Sequence, residues 1–303
     1  MKSMVCICAA FLLLSASNPS GKKALIVAVS HYGPQTGWDT INAQNDVPLL
    51  LEAAEQLGIP RSQIRVLRDG EATHQGIIAA LQEIKTTARP GDFIYFHFSG
   101  HGQQRQDYDG DEADGFDEAL VPYDSPMRFS AAYQGERLIT DDLIYQWTRD
   151  LRPSLGKQGG IFITLDACHS GTAARGGGTY RGATFPMAER EYWRKIRTES
   201  VLTLENTWEE PCLEAETWAP CVVFSATQGN QLNWEYVQPG SGEPCGPLSY
   251  ALNKCLTSSR PASFRALFEQ VKKEMSRIAP YQQPQAEGDL FTGLDKILSD
   301  HQD

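Results

Sequence analysis

The chain has 303 residues, 41% of them hydrophobic, enough to fill the core of one large domain or two small ones. Only 21% are charged and no repeat of roughly 20 to 50 residues is visible, which excludes disordered, collagen-like, coiled-coil and solenoid readings. The net charge of −11 argues against a phosphate-tracking surface, so nucleic acid is not an expected ligand, although Arg175, Arg181, Arg190, Arg194, Lys195 and Arg197 crowd one stretch.

Residues 1–20 begin Met1-Lys2-Ser3, continue in an apolar run from Met4 to Leu14 and end in small residues, the pattern of a secretory signal. The alternative is an extension packed on the domain. No later segment reaches the ~18 apolar residues of a transmembrane helix. The expected location is secreted or periplasmic, with the cytoplasm as the alternative. Beyond Cys6 and Cys8, Cys168 stands alone while Cys212, Cys221, Cys245 and Cys255 cluster. In an exported chain those four could form two disulfides, in any of three connectivities, leaving Cys168 as a candidate nucleophile. In the cytosol they would be ordinary thiols.

From Lys22 the pattern alternates strand and helix. Residues 24–30 (ALIVAVS) predict a strand buried on both faces, 45–57 a helix closed by Gly58 and Pro60, and 64–67 a short strand. Thr73 caps a helix whose Ile77, Ile78, Leu81 and Ile84 share one face. Strands follow at 92–98, 119–122 and 161–165, with a helix at 140–149. A polar stretch, 172–220, reads as an inserted linker with a weak helical pattern near 188–200. Beyond it come a strand at 221–225, helices at 248–256 and 263–278, and a last short strand at Leu290-Phe291. The alternation predicts an α/β/α sandwich: a mainly parallel central sheet with helices on both faces. Residues 21–171 and 221–303 contribute strands to one sheet, so 21–303 is one domain.

Two strands run straight into tight turns bearing reactive side chains, in Phe96-His97-Phe98-Ser99-Gly100-His101-Gly102 and Leu165-Asp166-Ala167-Cys168-His169-Ser170-Gly171. Ligands of an open parallel sheet bind beyond the carboxyl ends of its strands, so neighbouring strands would bring His101 and Cys168 together there. A thiol needs an imidazole to become a nucleophile, and the oxyanion of an acyl intermediate needs backbone N–H donors, which Gly102 and Cys168 can supply. His97 lies inside its strand and reads as structural, as does His169. His97 and His101 have the spacing of a zinc motif, but Phe98 stands where the catalytic Glu would be. A dinucleotide loop fails at Arg105, where its third glycine belongs.

The motifs HFSGHG and DACHSG, in this order, resemble the His and Cys motifs of the metacaspases, within the caspase-like cysteine peptidases. The resemblance covers most of 22–170, including Asn45-Asp46-Val47, the acidic run 109–118 and Ile139-Thr-Asp-Asp142. Past the linker it thins to Ser225-Ala226-Thr227, Gly246-Pro-Leu-Ser249 and Gln283-Pro284-Gln285. It implies a caspase-like fold, His101 as general acid/base, Cys168 as nucleophile, and cleavage after Arg or Lys. Asp46, Asp166 and Ser99 match the pocket for the basic side chain, and two carboxylates suit a guanidinium. The partners implied are protein or peptide substrates with Arg or Lys at the cut; a monomer is the expected state. The resemblance also implies self-cleavage in the 172–220 linker. No cofactor is required for the chemistry. Calcium as an activator is implied through Asp117, Asp141 and Asp142, although 172–182 lacks the further acid that relatives carry. An EF-hand reading of Asp107, Asp109, Asp111 and Glu118 fails because Glu112 replaces the required Gly. The rival readings are a catalytically silent binding module on the same fold, and a clan relative of different specificity.

Overall fold

The computed structural model describes residues 21–108, 110, 112, 114–168, 179–199, 217–229 and 231–294. In chain order the elements are β1 (Lys22–Ala28), α1 (Asp46–Gln56), β2 (Ile64–Arg68), α2 (His74–Thr87), β3 (Phe93–Ser99), β4 (Gly102–Gln106), β5 (Phe116–Leu120), β6 (Ile139–Thr140), α3 (Asp141–Leu155) and β7 (Gly160–Asp166). Then follow α4 (Arg190–Glu199), β8 (Cys221–Ser225), β9 (Tyr236–Val237), β10 (Pro244–Cys245), α5 (Pro247–Ser258), α6 (Phe264–Ile278) and β11 (Gln285–Gly288).

Among the described residues the central sheet runs β11-β8-β7-β3-β1-β2, parallel throughout except for β11, which lies antiparallel to β8. Successive side chains of a strand point to opposite faces, and a sheet covered on both sides therefore wants apolar residues at every position. β3 meets this: Tyr95 packs on one face with Phe162, Phe224 and Leu252, while Phe96 packs on the other with Ile163, Trp147 and Leu151. Helices α1, α5 and α6 line the first face; α2 and α3 line the second. Thr73 caps α2 by accepting the Gly76 amide, as its sequence predicts. Removing one fully buried ring, as in Phe162→Ala, would cost roughly 3–5 kcal/mol.

The mainly parallel sandwich is the expected architecture, with two differences. The last strand is Gln285–Gly288 rather than Leu290-Phe291, and Phe291 is exposed. A second sheet, β4-β5-β6, sits beyond the carboxyl end of β3. Its first strand, GQQRQ, has no strong β-former, and long-range pairing with β5 makes it a strand.

Among the described residues Cys221, Cys245 and Cys255 form no disulfide with one another, and Cys212 lies outside the described residues. The reason is placement, since Cys255 packs on the α5/α6 face of the sheet and Cys221 on the α2/α3 face. The expected signal segment, 1–20, also lies outside the described residues. No helix among them is long and apolar enough to cross a membrane.

Candidate active site

The parallel register carries the site. Ala28, Ser99 and Asp166 are partners in one row across β1, β3 and β7, at the carboxyl ends of the strands. Two residues further on, the chain leaves β3 at His101 and β7 at Cys168. Asp46 opens α1, where a carboxylate meets the positive end of the helix. All six side chains are buried.

His101 is clamped between Tyr32 and Trp38, with ring centroids 5.0 and 4.8 Å away. Its Nε2 lies 2.9 Å from the Asp39 carbonyl. A carbonyl only accepts, so Nε2 carries the proton and Nδ1 is left with its lone pair free. Nδ1 is buried without a hydrogen-bond partner, so it is not bonded to the Cys168 thiol in this state. Burial pushes His101 down to about 4 and Cys168 up to about 12, the latter eased slightly by the Asn233 backbone. The resting pair is therefore neutral imidazole and neutral thiol.

Asp46, Ser99 and Asp166 do form one pocket, and it is filled from within the chain. The side chain of Arg181, wholly buried, enters it. Nη1 donates to Asp46 Oδ2 at 2.5 Å and to Ser99 Oγ at 2.7 Å; Nη2 donates to Asp46 Oδ1 at 3.2 Å. Ser99 in turn donates to Asp46. Asp166 acts mainly as a wall. Its Oδ2 takes the Ser249 amide and hydroxyl, both at 2.7 Å, and its Oδ1 takes Asn233 Nδ2 at 2.7 Å and stands 3.7 Å from Arg181.

A third carboxylate completes the pocket. Glu235 Oε1 accepts from Arg181 Nε at 3.2 Å and Nη2 at 3.1 Å, while Oε2 accepts from Asn42. Burial alone would lower the Arg181 pKa, but Asp46 and Asp166, then Glu235, raise it above its ordinary value. Gly246 closes the wall: its amide donates to Asp46 Oδ1 at 2.7 Å, and a Cβ there would stand 2.1 Å from Asp166 Oδ2 and 2.5 Å from Arg181 Nη1.

The backbone around Arg181 is held like an extra strand. Upstream, its amide donates to the Asn233 carbonyl and the Thr179 carbonyl accepts from the Glu235 amide, both at 2.9 Å. Its own carbonyl accepts from the Cys168 amide at 2.8 Å. Downstream, the Ala183 amide donates to the Gly102 carbonyl at 3.1 Å, and Met187 exchanges hydrogen bonds with Gln104 and Gln106 of β4. Residues 179–187, expected as part of a solvated linker, thus form a strap across the carboxyl ends of β3 and β7. The composition of the linker points to a loop; the signal available in sequence was a stretch, 172–182, that carries Arg175 and Arg181 and no acid.

Of the remaining expected residues, Gly102 meets the strap through its carbonyl, and His97 is a buried strand residue with Nδ1 2.5 Å from Thr164 Oγ1. His169, Arg175, Asp109 and Asp111 lie outside the described residues. Asp117 is held by Arg105 at 2.5 and 2.9 Å, and Asp141 and Asp142 open α3. Among the described residues no three His, Cys, Asp or Glu side chains are gathered as a metal site requires.

A parallel-centred α/β/α sandwich, with a His and a Cys leaving adjacent strands beside an acidic pocket, defines a caspase-like protein. The comparisons agree: the caspase-domain model (Peptidase_C14) matches residues 21–293, and the chain belongs to that family. Metacaspase-1 of Botryotinia fuckeliana is 34% identical over 168 residues, 52% of this chain and 36% of that protein. Metacaspase-1 of Kluyveromyces lactis is 24% identical over 290 residues, 84% of this chain and 63% of that one. The chain therefore matches less than two thirds of the length of either relative. The crystal structure of a Geobacter sulfurreducens protein, 21% identical, superposes with a TM-score of 0.57 over 88% of this chain and 93% of its own, a likeness of fold.

Proposed function

We propose that this chain is a cysteine endopeptidase that cuts peptide bonds after Arg or Lys and processes itself within the 172–220 linker. One observation carries the reading. An arginine lies with its guanidinium among three carboxylates and its carbonyl on the amide of Cys168, as the residue before a scissile bond must lie.

The groups then have definite work. His101, held in the Nε2–H tautomer by Asp39, takes the thiol proton on Nδ1. The Cys168 sulfur attacks the carbonyl carbon, and the Cys168 and Gly102 amides receive the oxyanion. His101 returns the proton to the leaving amine, and water releases the acyl group as a carboxylic acid. Asp46, Ser99 and Glu235 bind the basic side chain, and Asp166 shapes its wall through Ser249 and Asn233. Export through the 1–20 segment belongs to the same proposal.

The test is turnover of matched fluorogenic peptides ending in Arg, Lys or Asp by wild type and Cys168→Ala, each with calcium and with chelator. Cys168-dependent release from Arg and Lys peptides, and none from Asp, is expected. Folded wild type that cuts none of them would make the chain a binding module.

A further inference from the structure

Resting on the peptidase reading above, we propose that residues 179–187 are the first substrate of this site, that the cut falls between Arg181 and Gly182, and that the site demands glycine directly after the cut. The strap is bound on both sides of that bond. Thr179 and Arg181 pair with Glu235 and Asn233, and Tyr180 packs edge-on against Trp234, ring centroids 5.5 Å apart. Ala183 and Met187 pair with Gly102, Gln104 and Gln106. A segment held as a strand on either side of one peptide bond presents that bond alone to the nucleophile.

The glycine follows from space. A Cβ on Gly182 would stand 2.3 Å from Cys168 Sγ and 2.5 Å from the Cys168 carbonyl oxygen. A flexible side chain can retreat from such a contact, whereas the backbone of the nucleophile's own turn cannot. Gly182 and His101 also line one open cleft of about 440 Å³, with Asp39, Thr40 and Tyr180. The reaction balances with water alone. Sulfur bonds to the Arg181 carbonyl carbon, the C–N bond to Gly182 breaks, and the thiol proton passes through His101 to the Gly182 amine. Water then cleaves the thioester, leaving an Arg181 carboxylate and the restored thiol.

The template therefore reads aromatic, arginine, glycine, and protein substrates should present an exposed Arg-Gly bond in an extended segment. The test has two arms on the full chain. Mass spectrometry and N-terminal sequencing of freshly made wild type should find a fragment beginning at Gly182, absent in Cys168→Ala and in Gly182→Val. The processed wild type is then given Thr-Tyr-Arg-Gly-Ala-Thr and Thr-Tyr-Arg-Val-Ala-Thr, with a kcat/KM ratio of about tenfold or more expected in favour of glycine. This peptide arm does not depend on any variant folding. A first cut at another basic residue, left unchanged by Gly182→Val, or equal turnover of the two peptides, overturns the proposal. An arginyl aminocoumarin, which carries no amino acid after the cut, separates the two readings. If it is turned over while the peptide pair shows no preference, only the glycine demand fails; if it is not, the peptidase reading fails with it.

Discussion

Glu235 grips Arg181 along its side, at Nε and Nη2, rather than at its tip. Lysine has no Nε donor and offers only a terminal ammonium, so this contact separates the two basic residues where Asp46 does not. Glu235→Gln should lower kcat/KM for arginyl peptides about tenfold while changing lysyl peptides little, measured as the ratio of the two. An unchanged ratio would reduce Glu235 to support for Asn42.

Asp46 holds both terminal nitrogens, accepts from Ser99 and takes the Gly246 amide. Its loss leaves a buried guanidinium without its main partner, so Asp46→Asn should cost on the order of a hundredfold or more in kcat/KM for arginyl peptides. Cys168→Ala should lose about a thousandfold or more whatever the basic residue. Parallel assays on both variants, with circular dichroism as the control for folding, distinguish pocket from nucleophile.

Gly246→Ala tests the shape of the pocket with its charges intact. The added methyl would intrude on Asp166 Oδ2 and on the seat of the guanidinium. Arginyl turnover should fall about a hundredfold, mostly in KM, while an iodoacetamide reaction at Cys168 proceeds at least as fast as in wild type because the strap is displaced. Wild-type KM in this variant would show that the wall yields.

Acid should weaken the fold through His97. Burial lowers its pKa to about 3, below the ~6.5 of an unfolded histidine. A depressed histidine favours the fold when neutral, so its contribution is complete above pH 6.5 and drains away as pH falls towards 3. Between pH 7 and pH 4.5 the loss is on the order of 2 kcal/mol. Urea midpoints at the two pH values, compared between wild type and His97→Gln, should show a shallower drop in the variant. Parallel drops would assign the acid sensitivity to other groups.

The sandwich was legible because β1, β3 and β7 are apolar at nearly every position and run into the HFSGHG and DACHSG turns, local features that no tertiary contact has to supply. The pocket aspartates came through the resemblance, since an aspartate at a helix start or a strand end is otherwise an ordinary cap. Glu235 had no local signal, and Gly246 stood only at the head of a helix motif: each reaches the pocket because the chain returns, some 200 residues after Asp46, to the same few ångströms. Arg181 was one of several basic residues in a stretch whose composition describes a loop. Its burial depends on Asn233, Glu235 and β4, three partners no sequence window contains. β11 was misplaced because Gln-Ala-Glu-Gly has no β-branched residue, and an antiparallel edge strand needs little intrinsic propensity when β8 is already in place.

The neighbours β7 and β8 come from opposite sides of the Arg181–Gly182 bond, and they share five register pairs in the middle of the sheet. Hydrolysis there would turn one polypeptide into an intertwined heterodimer of two non-identical subunits, held by the same core as before. Its melting would become second order: heat would separate the fragments, and their return would depend on encounter. The cut form should accordingly lose activity at high dilution and recover it on reconcentration, and its Tm should rise with protein concentration while that of uncut Cys168→Ala stays constant.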